Sequence, residues 1–214
     1  MRSEANLQDP QRQLDWASLQ LYARIEDGDD SRPVVFRPYR GLLAFQPEHR
    51  RFFFGRQKET KEIAEDLQAL RDQKMPRFLI VAGASGTGKS SLVFAGAVPK
   101  LLKENPKLDF LRMRPGSDPN QSLTEALTRR SAAAPALLVV DQFEEVFTQT
   151  PDPAAREVFV RRLWSLAGSP ESELSIIVTL RVDFIGRCGE LVVNDAGRRL
   201  DCIAYEIGRA SCRE

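Results

Sequence analysis

Four apolar runs, separated by segments of helical periodicity, organise the central part of the chain. Each run is bounded by proline, glycine or charged residues, which is typical of a buried strand in a parallel sheet. The runs cover residues 78–82, 108–113, 137–140 and 173–180. The sequence therefore predicts four strands that are buried on both faces of a sheet.

Amphipathic segments between these runs predict the helices. Residues 57–73 place Ile63, Leu67 and Leu70 on one face, opposite charged side chains. Further helices are predicted from about Lys89 to Val98, where Pro99 should kink or end the helix, over 119–130, and from the Asp152 cap to Gly168. Strands that alternate with helices predict an α/β fold in three layers, with helices on both faces of the sheet.

Upstream of these elements, residues 1–37 are mostly polar. One helical face is predicted from Leu14, Ala17, Leu21 and Ile25. A charged break at 27–30 follows, so this region is interpreted as a polar helix and a linker. The tail of an upstream domain would have the same pattern, and both interpretations stay open. From Pro38 onward the chain is rich in aromatic residues, which indicates structure rather than a linker, and the predicted main domain spans 38–206.

Composition and charge narrow the possible functions. The chain has 214 residues, with 31 Lys and Arg against 30 Asp and Glu, and a net charge of +1. This balance provides no general electrostatic attraction to nucleic acid or to an anionic membrane. No apolar run approaches the roughly 18 residues of a membrane span, and the first residues lack the apolar core of a signal peptide. A cytoplasmic protein is expected, with no membrane partner and with nucleic acid disfavoured as a partner.

The residues after the first predicted strand fit a phosphate-binding loop. The eight residues Gly83, Ala84, Ser85, Gly86, Thr87, Gly88, Lys89 and Ser90 match G-x-x-x-x-G-K-[ST], and Ser91 continues the following helix. The three glycines let the backbone turn tightly, so that successive N–H groups point at the oxygens of a polyphosphate. Lys89 would supply a charge to the β and γ phosphates, and the Ser90 hydroxyl would ligate Mg²⁺. The alternative is an ordinary glycine-rich turn.

Acidic residues follow the third predicted strand, at the edge where open α/β sheets bind ligands. Asp141 is predicted to hold Mg²⁺ opposite Ser90, as the Walker B partner of a Walker A loop. By itself, a buried strand that ends in aspartate is common. Glu144 and Glu145 are candidates for orienting or deprotonating an attacking water. Both glutamates could equally form the solvated start of a helix.

The fourth predicted strand delivers Arg181 to the same edge. An arginine at this position can reach the γ phosphate of a bound nucleotide and report its presence. A surface ion pair is the alternative. Arg181 is therefore a candidate catalytic or sensing residue.

Six motifs, taken in order along the chain, resemble the novel STAND NTPase family. They are PYRGLLAF, FFFGR, GASGTGKSSL, RPG followed by a proline, LLVVDQFEE and VTLRVDF, and they span about residues 38–187. The resemblance implies an ASCE-type P-loop fold and a signal-transduction ATPase that binds ATP or ADP with Mg²⁺. It implies that Lys89, Asp141 and Arg181 serve the nucleotide site. It also implies that Gly55 and Arg56, at the end of FFFGR, fold beside the adenine; a hydrophobic aromatic turn with a surface arginine is the alternative.

The chain departs from related ATPases after the candidate Mg²⁺ ligand. AAA+ ATPases usually place a glutamate directly after the aspartate, whereas this chain has Gln142 there. Slow hydrolysis is therefore expected. The resemblance further implies a homo-oligomer, or effector and repeat domains in a longer protein, as partners.

The last eight residues look foreign to the domain. Residues 207–214, IGRASCRE, match one reading frame of a widely used sequencing adapter. We therefore expect the native sequence to continue differently after about Glu206, and the chain to be a fragment of a longer protein. A native tail is the alternative.

Three functions remain open from the sequence. The leading one is an ATP-dependent molecular switch with slow turnover, whose bound nucleotide shifts a population between two states. The second is an AAA+-like ATPase that handles DNA, which would need a basic surface that the overall charge does not provide. The third is a nucleotide-binding module without turnover.

Overall fold

The computed structural model describes residues 21–23, 34–36, 43–131, 134–200 and 204–206. The chain divides into two compact units, Met1–Leu43 and Ala44–Glu214. Residues 207–214 lie outside the described residues.

The first unit contains a pair of short antiparallel strands. β1 is Leu21–Ala23 and β2 is Val34–Phe36, with Leu21 opposite Phe36. The predicted N-terminal helix is therefore wrong at Leu21. Two adjacent valines and a tyrosine favour strand pairing, and pairing with a distant segment outweighs a local helical period. The other positions of that predicted helix lie outside the described residues.

The second unit is built on a five-stranded parallel sheet. Its strands are β3 (Phe78–Gly83), β4 (Asp109–Met113), β5 (Ala136–Val140), β6 (Leu174–Arg181) and β7 (Ala204–Glu206). They lie in the order β4-β5-β6-β3-β7, and every neighbouring pair is parallel. β6 thus lies between β3 and β5, as in ASCE-type P-loop folds. The four predicted strands are confirmed, and β7 was not predicted.

Helices cover both faces of this sheet. They are α1 (Gln57–Asp72), α2 (the consecutive segments Lys89–Ser91, Leu92–Ala97 and Val98–Glu104), α3 (Pro119–Thr128), α4 (Glu145–Thr148), α5 (Pro153–Gly168) and α6 (Ile185–Cys188). Short 3₁₀ segments occur at Pro47–Phe52 and Val182–Phe184.

Alternating residues of the strands contribute to two separate hydrophobic cores, one on each face of the sheet. In β3, Phe78 and Ile80 pack with residues of α3 and α5, whereas Leu79 and Val81 pack with residues of α1 and α2. This alternation follows from the period of two along a strand, which sends successive side chains to opposite faces. The predicted three-layer architecture is confirmed.

α2 continues beyond the proline that was predicted to limit it. Leu92–Ala97 is π-helical, and the helix then runs on through Pro99 to Glu104. Proline lacks a backbone N–H and crowds the carbonyl four residues earlier. A preceding π-helical turn, with its i→i+5 hydrogen bonds, removes the need for that bond and widens the turn. Pro99 was predicted to kink or end the helix, and of these two alternatives the end at Val98 is wrong.

Candidate functional site

Three strands of the second unit end at one edge of the sheet and bring the predicted site residues together. Gly83 at the end of β3 lies in register with Arg181 at the end of β6. Asp141 directly follows β5, and its backbone N–H donates to the carbonyl of Met113 on β4 at 2.9 Å. Carboxyl ends of parallel strands are the usual ligand edge of an open α/β sheet.

The loop after β3, which we call the glycine loop (residues 83–90), needs glycine at specific positions. Gly86 and Gly88 have φ angles of +76° and +79°, in the left-handed region that L side chains rarely adopt. A Cβ atom at Gly83 would lie 3.0 Å from Thr87 Oγ1. Thr87 Oγ1 in turn donates to the carbonyl of Ala84 at 2.9 Å. The loop therefore favours glycine at Gly86 and Gly88 because of their backbone conformation, and at Gly83 because Thr87 lies so close.

Lys89, at the start of α2, is turned into the glycine loop. Its side chain is 9% exposed, and its Nζ donates to the carbonyls of Gly83 at 2.9 Å and Ala84 at 2.8 Å. Burial lowers the pKa of the Lys89 ammonium, while the charges of Glu144 and Asp141 oppose that change. Lys89 thus places a positive charge among the carbonyls of the glycine loop and near two acidic side chains.

Asp141 is the centre of a buried oxygen cluster. The residue is 5% exposed, and its Oδ1 accepts hydrogen bonds from Ser90 Oγ at 2.6 Å and from Thr179 Oγ1 at 2.7 Å. Arg114 Nη2 lies 3.6 Å from Asp141 Oδ2. Hydroxyl and carboxylate oxygens are the ligands that Mg²⁺ prefers, so the donor set at Ser90 and Asp141 fits this ion.

Gln142 redirects the chain immediately after Asp141. Its φ angle is +58°, and its backbone N–H donates to Thr179 Oγ1 at 2.9 Å. Phe143 then donates its N–H to the Thr179 carbonyl at 2.9 Å and is fully buried. This left-handed turn moves the chain so that Glu144, two residues after Gln142, interacts electrostatically with Lys89.

Glu144 is the carboxylate that faces the glycine loop. Its Oε2 is buried and has no hydrogen-bond partner within the part of the chain that the structure describes. Burial raises the pKa of Glu144, and hydrogen bonds from its own backbone N–H and that of Arg181, together with the charge of Lys89, limit the increase. A carboxylate with a raised pKa and an unused oxygen can accept a proton from a nearby water.

Glu145 has a different environment from its neighbour. Its Oε2 accepts a hydrogen bond from the backbone N–H of Gly116 at 3.1 Å. Gly116 has a φ angle of +63° and lies in the turn that follows β4. Glu145 therefore fixes this turn, and neither candidate glutamate is a freely solvated helix start.

For Arg181 the sequence left two alternatives open, a residue of the ligand site and a surface ion pair, and the structure has features of both. Its guanidinium donates to both carboxylate oxygens of Asp183, at 3.1 and 2.7 Å, and lies over the Phe184 ring at 5.5 Å. The Arg181 charge also acts on Lys89 and Glu144. The predicted surface ion pair is therefore present, and the same side chain lies at the edge of the candidate site.

The FFFGR segment contacts the glycine loop through its arginine. Gly55 has a φ angle of +83°, and Arg56 follows it at the start of α1. Arg56 Nη1 donates to the carbonyl of Thr87 at 2.7 Å, while its Nε pairs with Glu59 at 3.0 Å. Ser91 makes a second connection, because its Oγ accepts the backbone N–H of Phe45 at 3.1 Å. The segment before α1 is thus attached once to the glycine loop and once to the start of α2.

The family of this chain is identified by its match to a protein-family model. The model of novel STAND NTPase 1 matches residues 38–202. The chain belongs to this family. It therefore carries a nucleotide-binding NTPase domain.

Solved structures show more distant likeness to this STAND domain. PCH-2 of C. elegans aligns with 14% identity and a TM-score of 0.46 over 72% of this chain and 41% of that chain. Trip13 of Rhizobiales aligns with 19% identity and a TM-score of 0.40 over 70% of this chain and 57% of that chain. The chain thus spans about half the length of these structures. No curated protein matches the chain.

Two residues beside Asp141 in the STAND domain, Thr179 and Arg114, were not predicted as site residues from the sequence. Thr179 was overlooked because it lies inside an apolar strand, although a lone threonine in such a run is itself a signal. Arg114 was noted only within the RPG motif. In the described residues no group of three or more His, Cys, Asp or Glu side chains could hold a metal ion, and no helix is long and apolar enough to cross a membrane.

Proposed function

We propose that this domain binds ATP with Mg²⁺ and acts as a nucleotide-dependent molecular switch with slow hydrolysis. The observation that carries the proposal is the buried cluster of Ser90, Asp141 and Thr179 beside Lys89, at the mouth of the glycine loop. Burying a carboxylate and an ammonium costs free energy, so their burial at one edge of the sheet favours a role for each in binding a charged ligand.

The glycine loop and Lys89 would bind the polyphosphate. Backbone N–H groups of a tight loop and the first turn of α2 favour negative charge, and Lys89 adds a full positive charge. Ser90 and Asp141 would hold Mg²⁺, which neutralises charge on the β and γ phosphates when bound. Ala84, Ser85 and Ser91 complete the proposed phosphate-binding segment.

Glu144 is the proposed general base. Its uncommitted Oε2 is available to orient a water and to accept its proton, and its raised pKa makes the ionised form a stronger base. Glu145, whose Oε2 is used by Gly116, would serve positioning instead. The position directly after Asp141 is occupied by Gln142, which has no carboxylate, and this supports slow turnover.

Arg181 and Arg56 would connect the nucleotide to the rest of the domain. Arg181 is proposed to sense the γ phosphate, since its charge already acts on Lys89 and Glu144. Arg56 is bonded to the Thr87 carbonyl, so a change in loop conformation would reach α1 directly. Gly55 and Arg56 are proposed to border the adenine. Assembly into a homo-oligomer, further effector or repeat domains and a cytoplasmic location belong to the same proposal.

The decisive experiment measures binding and chemistry separately. Calorimetric titration with ATP and ADP, with Mg²⁺ and with EDTA, should show tight Mg²⁺-dependent binding. Single-turnover assays with labelled ATP should show slow hydrolysis. Brisk steady-state turnover by a monomer would contradict the switch, and nucleotide affinity that does not change in Lys89→Met would contradict the site.

A further inference from the structure

The turn between β4 and α3 is held by hydrogen bonds with residues of α4, of the loop after α4 and of α3. We call residues 114–116 the Arg114 turn. Gly116 donates its N–H to Glu145 Oε2 at 3.1 Å and accepts from Thr150 Oγ1 at 3.2 Å. Ser122 Oγ on α3 donates to the preceding carbonyl of the turn at 3.1 Å. Thr150 is 3% exposed, so a buried hydroxyl is used to set this backbone.

This turn places the Arg114 guanidinium beside the buried carboxylate of Asp141. Nη2 of Arg114 lies 3.6 Å from Oδ2, while Oδ1 accepts the hydroxyls of Ser90 and Thr179. The Arg114 side chain is 58% exposed and the Asp141 side chain 7%. An exposed cation therefore pairs with a buried anion.

We propose that Arg114 neutralises Asp141 in the metal-free protein and that Mg²⁺ displaces it from Oδ2. The inference rests on the proposed function, in which Ser90 and Asp141 ligate Mg²⁺. A buried carboxylate is costly unless positive charge compensates it, and in the metal-free protein Arg114 adds its charge to that of Lys89. A guanidinium and a divalent ion at one carboxylate repel each other, so they compete. Arg114 is exposed enough to move into solvent when displaced.

This competition sets the Mg²⁺ concentration at which the site fills. Removing the Arg114 charge should strengthen Mg²⁺ binding roughly three- to tenfold, because a repulsion across a partly solvated gap is lost. It should also lower the thermal stability of the metal-free protein, because Lys89 is then the cation that remains to compensate the buried Asp141. A role limited to packing would not change the Mg²⁺ dependence.

The test compares three variants of the full chain with the wild type. Arg114→Gln removes the charge, Arg114→Lys keeps it, and Arg129→Gln removes an exposed arginine at the end of α3 as the control. Fluorescence of a labelled ADP is followed while Mg²⁺ is titrated, and thermal midpoints are measured in EDTA and in Mg²⁺ without nucleotide. We expect a lower half-saturating Mg²⁺ concentration and a larger stabilisation by Mg²⁺ in Arg114→Gln alone.

Two results would overturn the inference. One is an unchanged Mg²⁺ dependence in Arg114→Gln, and the other is a lysine variant that behaves as the glutamine variant does. If labelled ADP binds normally but Arg114→Gln has no effect, this inference fails and the proposed function stands. If the wild type binds no nucleotide, the proposed function fails, and the thermal midpoints with Mg²⁺ alone still decide the role of Arg114.

Discussion

The glycine loop and the acidic segment (residues 141–145) both follow parallel strands that end at the same edge, but their contacts differ in range. In the loop, Thr87 and Lys89 donate to carbonyls of Gly83 and Ala84, only a few residues away. Such contacts depend on the local backbone, which the glycines determine. For Thr87 and Lys89 the order of residues in the loop is therefore enough to infer these contacts, whereas Ser90 bonds to the distant Asp141.

In the acidic segment, neighbouring residues have partners from different elements. Asp141 bonds to Ser90 of α2 and Thr179 of β6, and Glu145 bonds to the turn after β4. Glu144 instead interacts with Lys89 across the site. Two adjacent glutamates thus differ in role because tertiary contacts, and not their spacing, assign their partners.

The largest expected effect is on the rate of ATP hydrolysis, and it distinguishes Glu144 from Glu145. Glu144→Gln should reduce single-turnover hydrolysis of ATP by roughly 10²–10⁴-fold, because a positioned base is lost, while ATP binding persists. Glu145→Gln should change the hydrolysis rate far less, since glutamine can still accept the Gly116 N–H. Equal losses of rate in both variants would contradict the assignment of Glu144 as the base.

The next effect tests the local character of the glycine loop. Lys89→Met keeps the apolar stem but removes the charge, and it should weaken ATP binding about 100-fold through lost charge-assisted hydrogen bonds. Lys61→Met is the control, because Lys61 is exposed on α1 and pairs with Glu65. Titration calorimetry measures both affinities. A similar affinity in the two variants would remove Lys89 from the site.

Backbone strain in the loop should produce a smaller effect. Gly88→Ala forces an L side chain to a φ angle of +79° and should cost about 1–2 kcal/mol of unfolding free energy. Gly186→Ala is the matched control, because Gly186 lies on α6 with open space around it and no positive φ angle. The control should be neutral or slightly stabilising. Urea denaturation of both variants decides whether the loop conformation requires glycine.

The smallest expected effect is the pH dependence of stability at Glu144. Burial raises its pKa above the ordinary 4.5, so the folded protein holds this proton more firmly than the unfolded chain. The favourable contribution is complete below pH 4.5 and is lost as pH rises through the higher folded pKa. Glu144→Gln should therefore raise the thermal midpoint by roughly 1–3 °C at neutral pH.

The control for this prediction is the same comparison in acid. The difference between Glu144→Gln and the wild type should shrink as pH falls below 4.5, since both side chains are then neutral. A difference that grows in acid would show that the ionised carboxylate stabilises the fold. In that case Glu144 would be better described as an ion-pair partner of Lys89.

Much of the fold could be predicted because apolar runs and helical periods are local signals. The four strands, α1 and α5 were found in this way. β7 was not, since Ala204–Glu206 is too short and too polar to stand out as a buried strand. The helix through Pro99 was missed because the π-helical segment that accommodates it has no recognised sequence signal.

The sequence by itself determined the succession of the four main strands and their helices along the chain, and the conformation of the glycine loop. Each of these depends on residues close together in the chain. Only the tertiary structure decided which acidic residue faces Lys89, which one holds the Arg114 turn, and that Thr179 and Arg114 share Asp141. The physical reason is that a charged or polar side chain is used by whichever partner the fold brings within hydrogen-bond distance. Those partners come from strands and helices that are far apart in sequence.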